Sequence, residues 1–85
     1  MKEIENHFAS AVKYHRKRLG ISQEVFALKA GIHRTYASSI ERGRVQVSIG
    51  IASKLAEALA IPLSKLIRDM ERFANGELSD ESDTE

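Results

Sequence analysis

Apolar residues return along this chain at spacings of three and four, the period of an α-helix, and the pattern breaks at Gly20, Gly31, Gly43 and Pro62. Ile4, Phe8, Ala11, Val12, His15 and Leu19 share one face of a first helix that Gly20 stops. Ser22 carries the short hydroxyl of an N-cap and opens a second helix over Gln23–Ala30, with Phe26, Ala27 and Ala30 inward and Gly31 at its end. A third helix runs from about His33 to Arg42 and is stopped by Gly43. The loop 44–47 leads to Ser48, another N-cap, and to a fourth helix with Ile49, Ala52, Leu55, Ala56 and Leu59 on its inner face. Pro62, at a first helical position, starts a fifth helix, where Leu63, Leu66, Ile67, Met70 and Phe73 form one apolar stripe. There is no period-two alternation and no internal repeat. The pattern predicts an all-α domain of five short helices over residues 1–74, followed by a polar, acidic tail over 75–85 that reads as disordered.

Helices two and three carry the informative chemistry. They are short, they are joined by a turn containing Gly31, and Ala27 and Ala30 are small enough to let two helix axes cross closely, as a helix-turn-helix requires. On the third helix Ala37 and Ile40 point inward, which leaves Arg34, Thr35, Ser38, Ser39 and Arg42 on the other side. Serine and threonine are indifferent helix formers, so a face built for helix stability would carry Glu, Lys and Ala instead. Short hydroxyls beside a long Arg suit a helix pressed against base edges. Arginine bonds guanine O6 and N7 with two prongs, hydroxyls bond either base type, and the threonine methyl meets a thymine methyl.

Charge sharpens that picture. The 85 residues hold 13 Lys and Arg against 12 Asp and Glu, a net charge of +1. All 13 bases lie in residues 1–72, against 7 acids, whereas residues 73–85 hold 5 acids and no base. Within 13–44, the bases Lys13, Arg16, Lys17, Arg18, Lys29, Arg34, Arg42 and Arg44 face only Glu24 and Glu41. Such a block is either a surface turned toward a polyanion or an ordinary solvated face. The chain has no cysteine, which removes disulfides and thiolate zinc sites. His7, His15 and His33 lack the spacing of metal ligands, and no cofactor is expected. No apolar run approaches the roughly 20 residues of a membrane span, and the first residues lack the apolar stretch of a secretion signal. The expected address is the cytoplasm, with no membrane partner. A Gly-rich phosphate loop and a recognisable nucleophile–base pair are both missing, so an enzyme is not expected.

A longer set of residues now comes into view. Arg16, Leu19-Gly20-Ile21-Ser22-Gln23-Glu24, Phe26-Ala27, Ala30-Gly31-Ile32, Arg34-Thr35-Tyr36, Ser38 and Ile40-Glu41-Arg42-Gly43 resemble the Cro/CI-type (XRE) helix-turn-helix family of transcriptional regulators. The likeness continues through Ser48-Ile49 and Leu55-Ala56-Glu57-Ala58-Leu59-Ala60-Ile61-Pro62-Leu63, and covers roughly residues 8–67. The Arg34-Thr35-Tyr36 triplet with Ile40-Glu41-Arg42 looks especially like the controller proteins of restriction–modification systems. The resemblance implies a lambda-repressor-like fold and transcriptional regulation by a homodimer on a pseudo-palindromic double-stranded DNA operator. It implies that Arg34, Thr35, Ser38 and Ser39 face base edges. Gln23, Tyr36, Arg42, Arg44 and Gln46 are implied as phosphate contacts, with Gln23 also bracing the recognition helix. Arg16 and Glu41 are implied as a partly buried structural ion pair.

This chain also departs from the family pattern. His33 stands where a Ser or Thr usually caps the recognition helix, which implies a weak cap. His15 occupies a usually apolar position and reads as a packed core histidine, and Ala37 replaces a larger aliphatic residue. Val47 stands in place of a proline. Gly50 and Ile51 replace polar helix formers, leaving Ile51 as an exposed aliphatic group. Lys13, Lys17 and Arg18 are either solvated residues or phosphate contacts. Ile51, Ile61, Leu63, Ile67, Met70 and Phe73 exceed what one small core can bury and are the expected dimer interface. The alternative function is an antitoxin that binds a toxin partner and represses its own operon, with the acidic tail as the partner-binding segment.

Overall fold

The computed structural model describes residues 2–79 and contains, among them, five helices: α1 (Lys2–Leu19), α2 (Gln23–Ala30), α3 (Arg34–Glu41), α4 (Ile49–Ala58) and α5 (Leu63–Ala74). Ser22 and Ser48 cap α2 and α4, their hydroxyls accepting from the backbone N–H of Val25 and Ile51 at 3.1 Å each. Pro62 lies one position earlier than expected, as the residue before α5, with φ −68° and ψ 150°. No described helix is long and apolar enough to cross a membrane.

All five helices end alike. The chain turns into the left-handed region, and two backbone N–H groups fold back onto the last turn. In α2, Ile32 N–H bonds Ala27 C=O at 3.0 Å and Gly31 N–H bonds Leu28 C=O at 3.2 Å. Glycine takes the left-handed position at Gly20, Gly31, Gly43 and Gly76, but Ala60 takes it after α4, with φ 62°. There the methyl group costs about 1–2 kcal/mol. At Gly43 a methyl is disfavoured for a second reason: the side-chain oxygen of Asn6 would have to move aside, and the Asn6 Cα would lie only 3.3 Å away. The turn after α3 is thereby pressed against the start of α1. The last described residues, 75–79, belong to the turn that closes α5, with Glu77 N–H bonded to Arg72 C=O at 2.8 Å. The rest of the expected tail, 80–85, lies outside the described residues.

The core is built on Phe8, Val12, Phe26, Ile40, Leu55 and Leu66, with alanines where helices come closest. α1 packs on α5 and α3, while α2 packs on α3 and α4. Three expectations fail at helix ends. Ile4 and Leu19 sit at the termini of α1 and are nearly half exposed, because each overhangs the core its helix covers. Ile49 and Ile51 exchange roles: Ile49, in the first turn of α4, is 79% exposed, whereas Ile51 is partly buried against the core.

Between α1 and α5 the core contains a polar pair. Nε2 of His15 donates to Oδ2 of Asp69 at 2.6 Å, and both side chains are buried. Lys65 and Arg72 flank the same carboxylate on α5, at 3.7 and 3.4 Å. Burial raises the pKa of Asp69, but the His15 hydrogen bond and the charges of Lys65, His15 and Arg72 outweigh it and hold the pKa below its ordinary 3.8. A depressed folded-state value means that this stabilisation is complete above pH 3.8 and is lost as the pH falls through the lower folded-state value. Asp69→Asn should therefore cost about 1.5–3 kcal/mol in urea unfolding at pH 7. The gap to the parent should narrow below pH 3.8, and a constant gap down to pH 2 would contradict the account.

Candidate nucleic-acid interface

α2 and α3 pack against each other, and Phe26, Ala27 and Ala30 of α2 and Ala37 and Ile40 of α3 are buried. Their relative position is held by a polar node at the far end of α3. Glu41 is only 5% exposed. Nε and Nη2 of Arg16, on α1, donate to its two carboxylate oxygens at 2.7 and 3.0 Å. The side-chain amide of Gln23, the first residue of α2, donates to the same carboxylate at 3.3 Å. Nη1 of Arg16 also donates to the Ile21 carbonyl at 2.9 Å, in the turn that leads into α2. One carboxylate thus ties together three helices. Arg16 is consequently withdrawn from the basic surface that the sequence suggests.

The face of α3 opposite Ala37 and Ile40 is graded. Arg34 and Thr35 are exposed in its first turn, while Ser38 and Ser39 are half-buried and Tyr36 packs partly against the core. Arg42, Arg44 and Gln46 are exposed and gather at the other end of α3. With Glu5, Asn6 and Val45 they line an open hollow beside the N-terminal half of α1. Arg34 and Thr35 therefore stand at the start of α3 and Arg42, Arg44 and Gln46 just beyond its other end, with Tyr36, Ser38 and Ser39 between them. Gln23 lies apart from the hollow, on the Glu41 node.

His33 corrects an expectation. The start of α3 is capped: Nδ1 of His33 accepts from the Thr35 N–H at 3.1 Å. The imidazole nitrogen lies within the same reach of the backbone as the oxygen of a capping Asn, so the missing hydroxyl is replaced. The six expected interface residues are likewise only partly assembled. Ile67 and Met70 line an apolar cleft of about 330 Å³ together with Ile4, Phe8, Val45, Val47, Ile49 and Ala52. All six pack partly against the core, but Ile51, Ile61, Leu63 and Phe73 do not line that cleft, and the Phe73 ring is edge-on to Tyr14 at 5.7 Å. Sequence reasoning missed Ile49 and the loop valines because the cleft is formed by residues far apart in the chain. The one available signal was three apolar residues, Val45, Val47 and Ile49, close together where the loop meets α4.

Comparison with known proteins agrees with this geometry. Residues 12–66 match the helix-turn-helix family HTH_3, which spans both α2 and α3 and the helices that support them. The chain belongs to the XRE-type helix-turn-helix family. Members of this family are DNA-binding transcription regulators rather than enzymes. Among its relatives, Control protein C.MunI from Mycoplasma sp is 40% identical over 73 residues, covering 85% of this chain and 99% of the relative. Control protein C.SmaI from Serratia marcescens is 35% identical over 65 residues, covering 76% and 77% of the two chains. The restriction-modification controller protein C.AhdI from Aeromonas hydrophila superimposes with a TM-score of 0.71 at 35% identity, over 73% of this chain and 90% of that one.

The Glu41 node has a measurable consequence. Arg16→Ala leaves the Glu41 charge buried with only Gln23 beside it, which should cost about 3–5 kcal/mol of folding stability. DNA binding should then fall only in proportion to the unfolded fraction. A thermal midpoint equal to that of the parent, with weakened binding, would make Arg16 a ligand-contacting residue instead.

Proposed function

We propose that this protein is a controller-type transcription regulator that binds a pseudo-palindromic operator as a homodimer, with α3 in the major groove. The observation that carries the reading is the first turn of α3, where Arg34 and Thr35 stand exposed on a helix fixed from behind by Ala37, Ile40 and Glu41. Recognition helices meet base edges with their N-terminal residues. Arg34 and Thr35 read bases, and Ser38 and Ser39 do so at closer range. Tyr36, Arg42, Arg44 and Gln46 hold the sugar–phosphate backbone, and Gln23 adds a phosphate contact from the start of α2. The relatives that are named control proteins favour regulation of a restriction–modification operon. The antitoxin alternative gains no support from relatives of these kinds.

Gel-shift titration against the gene's own upstream region tests the assignment. Arg34→Ala should cost about 1–3 kcal/mol on the true operator and little on random DNA, whereas Arg44→Ala should weaken both alike. Equal losses for Arg34→Ala on both would move it to the phosphate group of contacts.

The dimer reading rests on specificity and on the cleft. Each mismatched base pair is worth only about 1–3 kcal/mol, too little for one short helix to select a single genomic site. A second copy supplies a second helix, and a two-fold contact spaces the two by about 34–36 Å, one turn of DNA. The cleft lined by Ile67 and Met70 and rimmed by Ile49 is the apolar surface for that contact. Ile49→Glu is the informative substitution, because a residue 79% exposed can be changed without touching the core. The variant should remain folded, sediment as a monomer and lose operator affinity while keeping weak non-specific binding. A parent protein that is monomeric at tens of micromolar and binds a single half-site one-to-one would rule the dimer out.

A further inference from the structure

One side chain at the start of α3 has a capacity that the assignment above leaves unused. His33 immediately precedes the helix and is exposed. Its Nδ1 accepts a hydrogen bond from the Thr35 N–H at 3.1 Å. An imidazole nitrogen accepts only when it carries no proton, so in the neutral ring the proton sits on Nε2. The two nitrogens lie on different edges of the ring. With Nδ1 turned back onto the helix end, Nε2–H is turned away from it. Among the described residues nothing accepts from that N–H. A capping Ser or Thr would lack the reach: its hydroxyl keeps an O–H to donate, but on a short side chain that ends at the helix start. The imidazole caps with one nitrogen and still presents a donor of fixed direction with the other.

We propose that His33 is a specificity-determining DNA contact as well as a cap, its Nε2–H donating to a hydrogen-bond acceptor of the duplex beside the contact made by Arg34. This rests on α3 being the recognition helix. The position is next to Arg34, on the end of the helix that approaches base edges. The acceptors within such reach are purine N7, guanine O6, thymine O4 and phosphate oxygens. A neutral, directed donor favours those atoms and disfavours the amino groups of cytosine and adenine, so it adds discrimination without adding charge.

The test separates the cap from the contact, using the full chain and its own upstream DNA. His33→Ser retains an oxygen that can accept from the first turn of α3 and lacks Nε2–H. The thermal midpoint of H33S should match that of the parent, while operator affinity should fall about 2- to 10-fold, the worth of one net hydrogen bond. Loss confined to the operator places the acceptor on a base and supports the proposal; equal loss on a random duplex places it on a phosphate and overturns the specificity role. Unchanged affinity of a folded H33S overturns the proposal, and R34A measured alongside still reports whether α3 reads DNA. A parent that binds no duplex at all removes the DNA reading and this proposal together. If H33S does not fold, H33T, with the same capping group, decides the question. The ring ¹⁵N shifts of the free protein give an independent check, and a proton found on Nδ1 of His33 would falsify the premise.

Discussion

Glu41 ends the exposed helix of this domain with a carboxylate that has almost no access to water. A charge so placed has to be answered from within the protein, and the answers come from α1 through Arg16 and from α2 through Gln23. Because guanidinium and carboxylate meet side-on through two bonds, the pair fixes orientation as well as distance. Rotating α3 relative to α1 would break one bond or both. The direction in which Arg34 and Thr35 project is therefore set at the opposite end of the helix, by groups that are not themselves on the outer face.

Close approach elsewhere reinforces that arrangement. Ala27, Ala30 and Ala37 are small buried residues on the packed pair α2 and α3, and Gly43 lets the turn after α3 rest on Asn6 of α1. Arg42, Arg44 and Gln46 follow directly from this turn, so the same constraint that closes the fold also gathers the candidate backbone contacts beside α1. A helix fixed in this way is suited to reading a groove, since the entropy of orienting the helix is spent in folding and not at binding.

The His15–Asp69 pair illustrates a different balance. It lies away from the outer face of α3 and spends buried volume on two polar groups where two aliphatic side chains would have packed. A buried pair of this kind contributes little when compared with apolar replacements, yet it penalises any slip of α5 along α1 that parts the 2.6 Å bond. Since α5 contributes Ile67 and Met70 to the apolar cleft, the register of α5 also decides where that cleft opens.

Much of this was legible before any coordinates. Helix periodicity, the Ser22 and Ser48 caps and the glycine stops located the helices to within about a residue or two, because these are local effects of backbone and short side chains. The inward Ala37 and Ile40 and the outward Arg34 and Thr35 follow from the same period. What lies at element ends and between elements was not legible. Ile49 and Ile51 differ in burial because one overhangs the core, and the period does not show where the core stops. The capping bond of His33 depends on a ring orientation that composition does not encode. Asp69 lies on the apolar stripe three residues after Leu66, and only the packing of α1 on α5 shows that His15 meets it there. Local spacing is written in the chain; which distant groups must satisfy one another is decided by three-dimensional packing, where burial makes an unpaired charge or donor too costly to leave alone.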